Sequence, residues 1–89
     1  MGDYTIVASD EVKSILSKLK KKDPVLLEKV GGQVHKISKN PTIGKPMRNV
    51  LRNYRRVHVD PFVLMYEIKN NEVRLIDFDH HDRIYKKYA

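Results

Sequence analysis

The chain has 89 residues, 40% of them hydrophobic and 33% charged, which suits one small domain spanning 1–89 with a single core and a heavily charged surface. It has no cysteine, which excludes disulfides, zinc–thiolate centres and thiol nucleophiles. Eighteen Lys and Arg against eleven Asp and Glu leave a net charge of +7, with no acid between Glu28 and Asp60, a field that attracts a polyanion, solvates a basic face or docks an acidic protein.

Tyr4 to Ala8 is rich in β-formers and predicts a first strand. Ser9 or Asp10 can cap the helix that follows. Val12, Ile15, Leu16 and Leu19 recur on it at helical spacing, and Lys20-Lys21-Lys22 closes its last turn. Asp23-Pro24 starts a second helix, with Leu26, Leu27, Val30, Val34 and Ile37 as its stripe and Asn40-Pro41 as its end. Gly31-Gly32 in its middle costs roughly 1 kcal/mol per glycine relative to alanine, which close helix packing or a break would explain. So short a link makes the two helices an antiparallel hairpin. Residues 41–52, with Pro41, Gly44 and Pro46, read as an irregular basic loop. From Arg55 to Val59 the pattern alternates, with Arg56 and His58 facing one way and Arg55, Val57 and Val59 the other. Asp60-Pro61 is a turn, Phe62–Ile68 a strand, Lys69–Glu72 a hairpin turn and Val73–Phe78 the last strand. Asp79 to Ala89 is a polar, aromatic tail with room for one helical turn.

The order is therefore β-α-α-β-β-β. It predicts an α+β fold in which the helix hairpin covers one face of an antiparallel sheet. The other face is expected to be open, with the basic loop at its edge. Met1-Gly2-Asp3-Tyr4 lacks the basic region and apolar run of a signal peptide, and no apolar stretch approaches the ~18 residues of a membrane span. A cytoplasmic protein without membrane contact is the expectation.

No P-loop, dinucleotide fingerprint or nucleophile elbow is present. The histidines are His35, His58, His80 and His81, and Asp77, Asp79 and Asp82 surround the last two. Adjacent side chains on a strand point to opposite faces, so His80 and His81 make a poor pair of metal ligands and no metal site is expected. RNA cleavage needs no metal when the 2′-OH is the nucleophile. The protein must help deprotonate that hydroxyl, stabilise the phosphorane and protonate the leaving oxygen, tasks that His, Tyr, Lys and Arg can share. Arg56 and His58 on the first meander strand, with His80, His81, Arg83 and Tyr85 just past the last one, are the candidate catalytic set. The alternative is that Tyr85 packs on the core edge and Arg83 pairs with Asp82 or Asp79.

The ordered series of pieces resembles the RelE/ParE superfamily of bacterial and archaeal toxins, in its RelE-like branch. The pieces are Tyr4-Thr5-Ile6-Val7, the Leu- and Lys-rich helix hairpin, Asn40-Pro41 with Gly44-Lys45-Pro46-Met47, Tyr54-Arg55-Arg56-Val57-His58-Val59, Phe62-Val63-Leu64-Met65-Tyr66-Glu67-Ile68 and His80-His81-Asp82-Arg83-Ile84-Tyr85. The resemblance implies the fold above and a cytoplasmic toxin of a type II toxin–antitoxin module. A cognate RelB-like antitoxin would hold it inactive in a heterodimer or heterotetramer. It further implies an mRNA interferase that enters the ribosomal A site and cleaves messenger RNA without metal or cofactor. Arg56 matches a basic position of the first meander strand, Tyr85 the C-terminal tyrosine that positions or activates the RNA, and His80 the closing histidine. Val63 stands where the family generally has an arginine, and His81 where it often has one, so His81, His58 or Arg83 would have to compensate. Lys20, Lys21, Lys22, Lys45, Arg48, Arg52 and Arg55 are the candidates for contacts to ribosomal RNA phosphates. Fold alone does not settle function. The alternatives are a ParE-like toxin that inhibits DNA gyrase, and a degenerate member that binds RNA or the ribosome without cutting.

Overall fold

Short side chains fix where the first half of the chain turns. Strand β1 (Thr5–Ala8) ends at Ser9, whose Oγ accepts the Val12 N–H at 3.2 Å and starts helix α1 (Asp10–Lys22). Asp23 then serves two helices. Its N–H donates to the Leu19 carbonyl at the end of α1, and its carboxylate accepts the Leu26 N–H at the start of α2 (Pro24–Lys39). A single residue between them folds α2 back on α1, as expected. The computed structural model describes residues 3–48 and 53–88.

The basic loop holds more order than its sequence suggests. A 3-10 turn (Pro41–Ile43) leads to a short strand β2 (Lys45–Pro46). The fully buried Tyr66 anchors both, its hydroxyl donating to the Pro41 carbonyl at 2.6 Å and accepting the Gly44 N–H at 3.0 Å. A β-carbon on Gly44 would lie 2.5 Å from that hydroxyl and 2.9 Å from the Arg56 carbonyl oxygen, so only glycine fits this close approach.

Strands β3 (Tyr54–Val59), β4 (Phe62–Lys69) and β5 (Glu72–His80) form the expected antiparallel meander. Asn70 takes a φ of 57° in the turn between β4 and β5, a region Asn tolerates. The strand order is β1-β5-β4-β3-β2, and β1 pairs parallel with β5, so the sheet is mixed rather than wholly antiparallel. The helix hairpin is the reason. It is a crossover long enough to return the chain for parallel pairing, which a tight turn cannot do. Backbone bonds from Ser9 to Leu75 at 3.0 Å and from Tyr4 to Ser38 at 3.1 Å tie β1 to the last strand and to the end of α2.

The core lies between the hairpin and the sheet. Val12, Leu26, Val30 and Ile37 of the helices pack on Val57, Val59, Leu64, Tyr66, Val73, Leu75 and Phe78. Gly31 and Gly32 are exposed in an unbroken α2 with nothing within 4 Å of an added β-carbon, so neither close packing nor a break accounts for them.

The other face of the sheet is not open throughout. Helix α3 (His81–Lys87) lies over it, with two turns where the sequence suggested one. Its Ile84 is fully buried, as are Val63 and Met65 of β4. A bulge in β5 serves this layer. Met65 opposes Asp77 and Tyr66 opposes Leu75, so Ile76 is an extra residue. Beyond it Asp77 faces α3 and Phe78 returns to the main core.

Candidate functional site

Alternation along β3 sends Val57 and Val59 into the core and turns Arg56 and His58 to the α3 face. Register then sets two rows across that face, Arg56–Met65–Asp77 and His58–Val63–Asp79. The Arg56 guanidinium carbon lies 5.7 Å from the centre of the Tyr85 ring, a cation–π contact between β3 and α3. Arg56 Nη1 also donates to the Pro46 carbonyl at 3.2 Å and meets the Met47 sulfur at 3.7 Å. Its Nε is buried and has no hydrogen-bond partner among the described residues. The cation is thus held in place, with its Nε turned away from solvent. Tyr85 stays 39% exposed beside it, open to a ligand rather than packed away.

The far end of α3 is pinned by Asp77. This buried carboxylate accepts from the Phe78 N–H at 2.8 Å, from Lys87 Nζ at 2.9 Å and from the Tyr88 hydroxyl at 2.9 Å. Burial, then the hydrogen bond to Asp77, pushes the Tyr88 phenol up to about 12. Its own hydrogen bond to Asp77 holds the Lys87 ammonium above its ordinary value. Asp79 lies lower than an ordinary carboxylate. Burial acts to raise it, but the His80 N–H and the charges of Lys87 and Arg83 together outweigh that effect.

The near end of α3 gathers the histidines. β5 runs on to His80 and α3 begins at His81, so the pair straddles a strand–helix junction instead of following the last strand. His80 Nδ1 caps the helix by accepting the Asp82 N–H at 3.2 Å. The two imidazoles stack at 4.5 Å, and His80 meets Phe62 edge-on at 6.1 Å. His81 Nδ1 faces Asp82 Oδ1 at 3.1 Å. His81 and Tyr85 are four residues apart on α3 and share a helix face. Arg83 turns instead to Asp79 at 3.4 Å, one of the two pairings weighed from the sequence. His58 sits on the same sheet face, 4.0 Å from Asp60.

Of the candidate phosphate contacts, Lys20, Lys21 and Lys22 are exposed at the end of α1, Lys45 is exposed opposite Arg56, and Arg48 is exposed. Arg55 is half-buried and donates to the carbonyls of Thr42 and Gly44, at 3.2 and 2.7 Å, tying the loop to β3. Arg52 lies outside the described residues. Lys87 and Tyr88 were not singled out by the sequence, and Asp77 was named only as a carboxylate near the histidines. Strict alternation from Leu75 would send Asp77 into the core, and that improbable placement was the available signal of a bulge.

A family model described as the ParE toxin of the type II toxin–antitoxin system parDE matches residues 3–85. A protein of Methanocaldococcus jannaschii provisionally named toxin RelE4 is 39% identical over 87 residues, covering 94% of this chain and 93% of that protein. The toxin–antitoxin complex RelBE2 of Mycobacterium tuberculosis contains a chain that superposes with a TM-score of 0.74 at 26% identity, covering 90% of this chain and 93% of that one. A YoeB/ParE toxin from Agrobacterium tumefaciens shares the fold with a TM-score of 0.80 at 13% identity, over 86% of this chain and 98% of its own.

Proposed function

The chain belongs to the ParE-toxin family, and so to the RelE/ParE superfamily of type II toxin–antitoxin toxins, and from that premise we propose that it is a ribosome-dependent endoribonuclease that cleaves messenger RNA in the A site. The observation that carries this reading is the Arg56–Tyr85 contact, a fixed cation beside an exposed ring. Such a pair suits RNA, with the guanidinium on a phosphate and the ring under a base.

In this reading the 2′-oxygen attacks the adjacent phosphorus and the 5′-oxygen leaves, giving a 2′,3′-cyclic phosphate. Asp82 beside His81 Nδ1 favours the tautomer with its proton there, which leaves Nε2 as the base for the 2′-OH proton. Arg56 stabilises the charge on the non-bridging oxygens. His58 gives a proton to the leaving 5′-oxygen. His81 would thereby compensate for the charge that Val63 lacks. Lys45, Arg48 and Lys20–Lys22 add phosphate contacts to ribosomal RNA.

An antitoxin is the expected partner, covering the α3 face as a heterodimer or heterotetramer, as RelBE2 is described as a toxin–antitoxin complex. No helix among the described residues is long and apolar enough to cross a membrane, which accords with action on ribosomes.

The family model's own name favours a second reading, a gyrase inhibitor that cuts no RNA. Primer extension on messenger RNA from a purified translation reaction separates the two. Cuts at the A-site codon that require ribosomes are the expected result. Intact message with blocked translation points to ribosome binding without cleavage. Intact message with normal translation, together with inhibited DNA supercoiling by gyrase, sinks the RNA reading.

A further inference from the structure

The sequence speaks against a metal at His80 and His81 because neighbours on a strand face opposite ways. The structure removes that ground, since the backbone passes from β5 to α3 between the two residues and stacks their rings at 4.5 Å. Both Nδ1 atoms face the carboxylate of Asp82, His81 at 3.1 Å from Oδ1 and His80 at 3.8 Å from Oδ2. One ligand atom from each of the three residues lies within 4.8 Å of the others. Tetrahedral zinc, with bonds of about 2.0–2.1 Å, holds neighbouring ligand atoms roughly 3.3–3.4 Å apart. Small side-chain rotations close the difference, and the side chains are 35%, 45% and 68% exposed, free enough to make them.

We propose that His80, His81 and Asp82 bind one divalent transition-metal ion, typified by zinc, through two imidazole Nδ1 atoms and a carboxylate oxygen, and that the bound ion switches off proton transfer by His81. The first half stands on geometry alone; the second rests on the endoribonuclease reading.

The ligand set selects the class of ion. Imidazole nitrogens suit zinc, nickel and copper, whereas magnesium and calcium take oxygen ligands. Arg83 and Lys86 line the same recess as Phe62, His80 and Asp82, and their charges oppose a cation held by electrostatics alone. Arg83 is turned to Asp79 at 3.4 Å and leaves Asp82 to the ion. His80 must give up its bond to the Asp82 N–H, so the affinity falls in the micromolar range rather than that of a structural zinc site. A water completes the fourth position. The switch follows from the tautomer. A neutral imidazole has one N–H and one lone pair. A metal on Nδ1 of His81 takes the lone pair there and leaves the ring proton on Nε2, which then cannot accept the proton of the 2′-OH.

The test is calorimetric titration of zinc chloride into the full chain near neutral pH, without chelator. One ion per chain is expected, with binding weakened at least about tenfold in His81→Ala and in Asp82→Asn, and unchanged in His35→Ala. Millimolar magnesium should not compete, and the imidazole NMR signals of His80 and His81 should shift while that of His35 stays. No binding up to millimolar zinc, or an affinity unchanged in the His80→Ala/His81→Ala double variant, overturns the site. The switch is read separately, as loss of message cleavage over the same zinc range with recovery on adding EDTA. Cleavage indifferent to bound zinc overturns the switch. Metal-free protein that cleaves no message overturns the endoribonuclease reading and the switch with it, while the site stands or falls on the titration.

Discussion

Lys87 Nζ sits 2.9 Å from Oδ2 of Asp77, whose side chain is only 2% exposed. A carboxylate so deep needs partners, and two of its three lie at the C-terminal end of α3. The pair therefore helps to hold on the sheet the helix that carries His81 and Tyr85. Asp77→Ala removes the acceptor shared by Lys87 and Tyr88. Lys87 is partly exposed and can hydrate, so the expected cost is about 1–3 kcal/mol, read as a lower denaturant midpoint. Hydrogen exchange in α3 should rise more than in α2; equal changes in both would contradict a local role.

Alkali should release the same end of the molecule. Tyr88 is raised from 10.0 to about 12, first by burial and then by Asp77. Lys87 is raised mainly by its hydrogen bond to Asp77, and Tyr66 by burial. A group whose folded-state pKa is raised binds its proton more tightly when native, so its contribution is complete below the unfolded value and fades as pH climbs through the folded one. Stability should be level up to about pH 10 and fall from there towards pH 12. Urea midpoints across that range, with tyrosinate absorbance alongside, check the prediction. The fall should be shallower in Asp77→Ala.

Tyr85 and Arg56 should part company under substitution. Tyr85→Phe keeps a ring over the guanidinium, whereas Tyr85→Ala removes it. If the ring carries a base, worth about 1–3 kcal/mol, the alanine variant loses about 5- to 150-fold in message cleavage and the phenylalanine variant much less. Arg56→Ala should cost about 100- to 1,000-fold, and Arg56→Lys should restore little, because an ammonium lacks the planar fork. Single-turnover cleavage on stalled ribosomes gives these ratios. Wild-type rates in Arg56→Ala and Tyr85→Ala would remove both from the site.

Two glycines should respond with opposite signs. Gly44→Ala pushes a methyl into the Tyr66 hydroxyl and the Arg56 carbonyl, and should destabilise by about 1–3 kcal/mol. Gly31→Ala meets open space on a helix and should stabilise by about 0.5–1 kcal/mol. Thermal midpoints of the two variants decide it.

Local chemistry was legible in the sequence. Asp23 caps the second helix as expected, Ser9 rather than Asp10 caps the first, Asn70 makes the tight turn, and alternation placed Arg56 and His58 on one face. What needed tertiary information was not legible. The partner of β1 is chosen by where the helix hairpin returns the chain, not by β1 itself. Helix α3 offers one fully buried anchor, Ile84, in a run of polar residues, too weak a pattern to predict two turns. The catalytic candidates were found as residue types. Their division, with Arg56 against Tyr85 and His80 against His81, depends on a helix the sequence did not reveal.

The bulge at Ile76 gives β5 one residue more than its ladder with β4 uses. Removing a residue from inside a strand ordinarily turns everything beyond the cut inside out. Here the count already has a surplus. Without Ile76, Leu75 would still oppose Tyr66, Asp77 would still oppose Met65, and Phe78 would still oppose Leu64. The losses would be local: extra twist, and the bond from the Ser9 hydroxyl to the Ile76 carbonyl. In β5, then, a shortened chain at this point keeps its faces, and length variation that would wreck the rest of the strand becomes a change of curvature.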